Sequence, residues 1–573
     1  MRILLLLLFF PALAGAQTFI TNVSVLDVET QKIIADQTVE IKDGKISNIK
    51  PSSKFKLPAG ATPIDGKGKF LMPGLVDAHI HFFQSGGVYA RPDAIDLRKY
   101  RPYLEEIDWA HRNMDDFSRR YLKAGITTVI DVGSTLNFLK QRDTMALKAH
   151  TPGIFMTGPL ITTWEPPAYR DLKNDEPFRE VKNEEDARAQ VRDMLSSKPD
   201  FIKIWYIIAT GTGTPEQNAI KFLPIVKASI DEAHKNNLRV AVHATERIAA
   251  KLAVENGADF LVHGVDDGPV SDSLLQLLVK KKTVVIPTLT VATHYGEVFA
   301  QATNYSLTDY TIANPAQIGS VFDLKHLADT NMVKQYRLAG KRYVESSRKE
   351  DTLRWANLSR MVKAGVIIAT GTDAGNIGTH HASSYFEELS AMKIAGMSNW
   401  QILQASTING AKVLAKDKET GSVKTGKDAE LLLLSSNPAE NLQALSKIDL
   451  IFHKGNMLSP DSILKETPLA LVDRQLNAYN GRNLEAFLEP YAEDIELYEF
   501  PNKLVSKGKA EMRKNYSWFD KVPELHCHIV KRIINGNTII DHELVTGFGK
   551  QPLSAIAIYE IEGNKIRKVY FIQ

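Results

Sequence analysis

Two histidines separated by one residue are the first chemistry the chain offers. Leu75–Phe82 reads Leu-Val-Asp-Ala-His-Ile-His-Phe. Apolar and polar residues alternate, so a strand here projects Asp77, His79 and His81 from one face. Two imidazoles placed this way can hold a single cation between them. Met72-Pro73-Gly74, just before, ends any earlier element. A lone His-x-His serves equally well as a pair of surface histidines on an edge strand. Its meaning depends on which other ligands the chain supplies.

Four more such residues occur, each within or just after a strand-like apolar run. Phe201–Ile207 carries Lys203 among bulky neighbours, and a buried ammonium is costly unless it is paired or chemically altered. Val240–Ala244 contains His243, and Leu261–Gly264 contains His263. The run from Val366 leads into Gly371-Thr372-Asp373-Ala374-Gly375, which sets one carboxylate in a glycine-flanked turn. Singly, each has an ordinary explanation: a lysine that snorkels or is ion-paired, a histidine hydrogen-bonded in a core. His79, His81, Lys203, His243, His263 and Asp373 all fall near the carboxyl ends of strands, and six coincidences at one rim favour a site.

The elements that must position them are eight apolar runs, at 75–82, 127–133, 153–159, 201–207, 239–245, 260–265, 283–290 and 366–374. Most gaps carry helix-like segments, among them Asp115–Lys123, Glu184–Leu195, Ile225–His234 and Arg247–Glu255. That alternation predicts an α/β fold, a (β/α)8 TIM barrel over 75–415, with its chemistry at the carboxyl ends of the strands. The longest connection, Val291 to about Asn331, has few periodic signals and is expected to form a lid or binding wall. From the loops after the third, fourth and seventh strands, Trp164, Tyr206 and His294 are the candidate substrate-binding residues.

Flanking segments differ in kind. Val39–Lys42, Asp43-Gly44 and Lys45–Ile49 read as a hairpin with a two-residue turn. Strand-rich stretches return at Ala429–Leu434 and Leu450–His453, so 17–74 and 416–455 are expected to form one composite β-sandwich. Residues 456–467 read as a linker. From 468 to 573, helix-like segments precede several strands, an α+β pattern.

The chain is 573 residues long, enough for two to four domains, with 44% hydrophobic and 24% charged residues. A formal charge of +3 and no long basic run give no support to nucleic-acid or membrane-surface binding. Arg2, the apolar run Ile3–Phe10 and Ala14-Gly15-Ala16 read as a signal peptide over 1–16, cleaved after Ala16. Export to the periplasm or the medium is the expectation, and no segment is apolar for long enough to span a bilayer. The single cysteine, Cys527, excludes an internal disulfide framework.

The ordered set Met-Pro-Gly-Leu-Val-Asp-Ala-His-Ile-His, Ile-Lys-Ile, Val-His-Ala, Val-His-Gly and Gly-Thr-Asp-Ala-Gly resembles the amidohydrolase superfamily, nearest its imidazolonepropionase-like and prolidase-like members. Thr407–Ala411 and Gly421–Asp428 extend the resemblance, which covers roughly residues 18–460. It implies two divalent metals, zinc the best fit to histidine and carboxylate ligands. His79, His81 and Asp373 would hold the deeper ion and His243 and His263 the outer one. Lys203 would bridge both as an N6-carboxylysine. The implied activity is hydrolysis of an amide bond, of the dipeptide or N-acyl amino acid class, by a metal-bridging hydroxide with Asp373 as proton shuttle.

The resemblance departs in two places. Pro159–Pro167 stands where many prolidase-like members carry Gly-Gly-His. His243-Ala244-Thr245-Glu246 is similar to the His-Ala-x-Glu of one-metal deaminases, which leaves open a deaminase or cyclic-amide or lactone hydrolase using Glu246. A non-catalytic binding protein is the third class, but it leaves six ligand positions without a use. The tail resembles the SnoaL-like, nuclear-transport-factor-like cone. Asp541 or His542 could act there as an isomerase acid, though ligand binding or dimerisation is the commoner role. The expected partners are a small-molecule substrate and a second copy joined through this domain, with no nucleic acid.

Overall fold

Alternating apolar residues and a tight turn set the first sheet. Lys32–Lys42 pairs antiparallel with Lys45–Pro51, Lys42 opposite Lys45. Asp43 and Gly44 between them have φ of 51° and 74°, the left-handed pair that a two-residue hairpin requires. This computed structural model describes residues 17–572, so the expected signal peptide lies outside the described residues. Phe70–Pro73 pairs with Leu431–Leu434, Leu71 opposite Leu433, which joins the segments before and after the central fold. Hydrogen bonding joins these flanks into one eight-stranded sheet. Leu71, Leu431 and Leu433 enter one core, and Met72, Leu432 and Leu434 enter the main core behind it. Burial on both faces explains why the strand is unbroken leucine.

The central fold is mixed α/β with parallel strands. Leu75–Ile80, Ile126–Asp131 and Gly153–Met156 form a three-stranded sheet. Phe201–Trp205, Arg239–His243, Phe260–Val262, Val284–Ile286 and Ile367–Ile368 run in a seven-stranded sheet begun by Phe178–Glu180 and Leu160–Thr162. The expected third run, 153–159, forms a strand only over Gly153–Met156, and a further strand just beyond it, Leu160–Thr162, pairs with Phe201–Trp205. The two sheets meet through backbone bonds at two seams. Asp200 N donates to Met156 O at 2.9 Å, and Asp373 N donates to His79 O at 2.7 Å. Val76, Ala78, Phe201, Phe260 and Ile286 pack together between the sheets.

The long connection after the seventh strand is mostly helical: Val291–Ala300, Leu307–Ile312, Pro315–Asp323 and the 35-residue Thr330–Ala364. A Cβ at Gly340 would lie 2.2 Å from Ala300 N, so glycine is what lets the first and last of these helices touch. Tertiary contact stabilises segments that show little periodicity of their own.

The tail is a six-stranded sheet, Lys503–Lys507, Tyr491–Glu499, Lys565–Ile572, Leu553–Glu562, Thr538–Thr546 and His526–Asn535 in spatial order, with Pro468–Asn480 against it. Residues 456–467 are not a free linker. Asn456–Leu458 extends the first sheet, Ile463 is buried, and Glu466 reaches the buried Arg120 at 3.3 Å. Tyr310, Ala313 and Ile318 from the long connection share a core with Leu471, Val472 and Phe487 of the tail.

Candidate metal centre

His79, His81, Lys203, His243, His263 and Asp373 all border one cavity of about 640 Å³. Each is placed by a strand end. His79 Nε2 lies 3.1 Å and His81 Nε2 3.0 Å from Asp373 Oδ1, and the two nitrogens are 3.3 Å apart. The His79 and His263 ring centroids are 4.9 Å apart, those of His243 and His263 4.6 Å.

The backbone is bent to achieve this. Asp373 and His263 have φ of 62° and 73°, and Thr288, whose Oγ1 is 2.6 Å from His263 Nδ1, has φ of 46°. Non-glycine residues in this region are few and cluster where structure holds them for function. A Cβ at Gly375, whose φ is 107°, would lie 2.4 Å from His81 O, so only glycine permits the close turn beside Asp373. Asp77 does not join the cluster. It accepts from Thr372 Oγ1 at 2.8 Å and Thr372 N at 3.1 Å, tying the first strand to the turn that carries Asp373.

Proton placement tests whether these residues fit a metal. Gly133 O is 2.8 Å from His81 Nδ1 and can only accept, so Nδ1 carries a hydrogen, and in the neutral ring Nε2 presents a lone pair. That lone pair faces a carboxylate oxygen, and His79 Nδ1 is buried without a partner. A cation bound among Nε2, Nε2 and Oδ1 relieves the repulsion, and the three atoms lie within 4.8 Å of one another. Burial holds the imidazoles neutral, as ligands must be: His79 is pushed down to about 4, and His243 and His263 fall well below the ordinary histidine value. Lys203, 1% exposed, is pushed down to about 7 by burial and makes no hydrogen bond or ion pair among the described residues.

The three substrate-binding candidates do not border the cavity. Tyr206 donates its hydroxyl to Ala219 O on the outer side of its strand end. Lys203 and Trp205 share the inner face, since strand side chains alternate, and Trp205 is the wall residue. His294 turns to Thr379 Oγ1 at 3.0 Å and Glu387 at 2.8 Å, while Tyr295, one helical step on, faces the cavity. Trp164 is 37% exposed and reaches the site only through Trp205, 6.0 Å between ring centroids. Glu246 stands at the start of Arg247–Glu255 and does not border the cavity, whereas Thr245 and Asp266 do.

Sequence reasoning missed Asn376, which donates to Asp373 Oδ1 at 2.7 Å. Its own Oδ1 accepts from Tyr295 Oη at 2.7 Å and from Arg91 Nη1. Its position three residues after Asp373, within reach of that carboxylate, was the available signal. In the tail, Arg532 clamps Asp541 through Nε and Nη2, both at 2.6 Å. His542 lies on the other face of its strand and meets Ser554 at 3.0 Å. Neither is an acid waiting in an apolar pocket.

Parallel strands with histidines, a lysine and an aspartate gathered near their carboxyl ends define an α/β protein with a candidate metal centre. The amidohydrolase family profile matches residues 70–458, and a SnoaL-like domain profile matches 472–569. The chain belongs to the amidohydrolase family, with a SnoaL-like tail. It is 25% identical to a 5'-deoxyadenosine deaminase of Methanosarcina mazei over 441 residues, 73% of this chain and 84% of that protein. It is 31% identical to an imidazolonepropionase of Shouchella clausii over 114 residues, 19% of this chain and 26% of the other. Among solved structures, a Xaa-Pro dipeptidase with bound methionine shares the fold at a TM-score of 0.57 and 22% identity, over 77% of this chain and 100% of that one. A molinate hydrolase does so at 0.58 and 19%, over 78% and 95%.

Proposed function

We propose that this protein is a two-metal hydrolase that cleaves an amide carbon–nitrogen bond of a small molecule. The observation that carries the reading is the convergence of two histidine nitrogens and Asp373 Oδ1 within 4.8 Å, beside a buried lysine without a partner. His79, His81 and Asp373 would hold one ion and His243 and His263 the other. Lys203 would supply a further oxygen ligand as a carbamate: its unprotonated nitrogen adds to the carbon of carbon dioxide and gives up a proton to solvent. That turns a stranded cation into an anionic oxygen ligand, and the depressed lysine value supplies the reactive free amine. When bound, the ions polarise the carbonyl and make water nucleophilic at neutral pH; zinc suits the donor set best.

The chain's own residues manage the proton. Asp373 Oδ1 is occupied by His79, His81 and Asn376, while Oδ2 has no hydrogen-bond or ion-pair partner among the described residues. Oδ2 takes the proton released by water and returns it to the leaving nitrogen. Water adds to the carbonyl carbon, the carbon–nitrogen bond breaks, and an acid and an amine leave. The dipeptide and N-acyl amino acid classes expected from the sequence are amides of this type. The Glu246 deaminase alternative gains nothing from the geometry, because Glu246 is not on the cavity wall.

We read the two parallel sheets as arcs of one (β/α)8 barrel and residues 1–16 as an export signal. We also read the tail as the surface on which two copies meet. Its outer face carries a row across all six strands, Ile533, Ile540, Ile558, Tyr570, Tyr498 and Leu504, in direct cross-strand register. Beside it runs Glu560, Lys568, Glu496 and Lys507, alternating in sign. Six strands about 4.8 Å apart and roughly 20 Å of length give about 1,000 Å² over two copies, the size at which specific interfaces begin.

The deciding experiment is metal analysis joined to Asp373→Asn. About two zinc ions per parent chain and a rate loss of roughly 10²–10⁴ in the variant are expected. A parent without bound metal, or a variant at full rate, would refute the reading.

A further inference from the structure

Above the polar floor, the cavity walls are mainly apolar. Leu160, Phe178 and Trp205 come from the segments after the third and fourth strands. Val291, Phe299 and Tyr336 come from the helices after the seventh. Two guanidinium groups also border the cavity, Arg91 and Arg354. They are the wall groups best suited to pair with a substrate carboxylate, and both are already engaged. Arg91 Nε and Nη2 grip Asp93 at 2.8 and 2.7 Å, and its Nη1 serves Asn376. Arg354 Nη1 binds Asp351 at 2.8 Å, and its Nη2 lies 3.1 Å from Glu350 and 3.7 Å from Asp266. Two cations thus face four carboxylates, one of which, Asp266, itself borders the cavity. A carboxylate entering would lose its water and meet cations already neutralised, with a like charge close by.

We propose that the site takes an uncharged amide with a large aryl or alkyl part, and discriminates against amides that carry a free carboxylate, dipeptides and N-acyl amino acids included. This rests on the amide-hydrolase reading above, with Lys203 as a carbamate rather than a free cation. A cavity of about 640 Å³ holds such a molecule whole. The aromatic walls supply binding area, while the Tyr295 hydroxyl, which donates its hydrogen to Asn376, keeps its oxygen as a neutral acceptor.

The test offers the zinc-loaded, bicarbonate-treated full chain three probes with one acyl group: phenylacetyl-anilide, phenylacetyl-phenylalanine, and the primary amide of the latter. The last two are near-isosteric and differ chiefly in charge, and release of phenylacetate is the reaction followed in every case. The inference expects kcat/KM for the carboxylate to fall at least about tenfold below that of both neutral probes, the scale on which an unpaired charge is penalised. Asp93→Asn removes the charge that holds Nε and Nη2 of Arg91, and, as a second variant, Asp351→Asn removes the one that holds Nη1 of Arg354; each should narrow that gap. Equal or preferred use of the carboxylate by the parent overturns the inference, as does a gap that neither variant narrows. Binding of the same probes, followed by calorimetry, separates this inference from the one it rests on. Tighter binding of the neutral probes without turnover sustains the inference and defeats amide hydrolysis. Tighter or equal binding of the carboxylate, or no binding of any probe, overturns the inference whatever the turnover.

Discussion

Asn376 Nδ2 donates to Asp373 Oδ1 at 2.7 Å, on the same carboxylate oxygen that faces His79 and His81. Since Asn376 is itself held by Tyr295 and Arg91, the rotation of Asp373 is set by two distant segments of chain. Asn376→Ala should lower kcat/KM by roughly 10- to 100-fold, the worth of a hydrogen bond to a charged group. Zinc content should stay near that of the parent, because His79 and His81 remain. Elemental analysis beside steady-state kinetics checks both, and an unchanged rate would show that Asp373 needs no such support.

Lys203→Ala should leave the histidines in place but lose the bridging ligand. We expect less than the parent's metal, little activity, and partial recovery of both when short carboxylic acids are added. Carbon-13 bicarbonate should give a carbamate signal in the parent that the variant lacks. A variant with full metal and full activity would dispose of the bridge.

Burial pushes Glu543 in the tail up to about 7, partly opposed by the Tyr559 hydroxyl that it accepts at 2.7 Å. A carboxyl with a raised folded value favours the fold while protonated. Its stabilising share is complete below about 4.5 and disappears as pH rises through about 7. The parent should therefore lose more stability between pH 4.5 and 7 than Glu543→Gln does. Thermal midpoints of the two full-length proteins across that range test the sign. Parallel curves would mean that Glu543 titrates normally.

Ile558 sits at the middle of the apolar row on the tail's outer face. Ile558→Lys should leave secondary structure and metal content intact while lowering the light-scattering mass from dimer to monomer. A parent that is already monomeric at micromolar concentration removes the basis for the paired tail.

Ending the chain after Lys465 strips the cover from Tyr310, Ala313 and Ile318 and takes Glu466 from the buried Arg120. The shortened protein should be poorly soluble or melt well below the parent, although every proposed metal ligand survives. Full solubility with an unchanged melting temperature would show the two parts to be separable.

The sequence alone pointed to six residues that border the cavity, because each lies within or just after an apolar run where strand geometry leaves it little choice of direction. It also contained the hairpin at Asp43-Gly44, whose turn chemistry is local. Alternation would even have assigned the wall to Trp205 rather than Tyr206, two residues on from Lys203. Tertiary structure decided the remainder. The Asn376–Tyr295–Arg91 link joins residues as many as 285 positions apart. The ion pairs that occupy both wall arginines form between side chains whose local spacing does not say which way they face. The helices over 291–364 form where Gly340 lets two of them touch, and the supposed linker is packed because Arg120 and the tail's core lie within its reach. Local pattern fixes where a side chain leaves the backbone; which partner neutralises or covers it depends on segments brought near only when the whole chain folds.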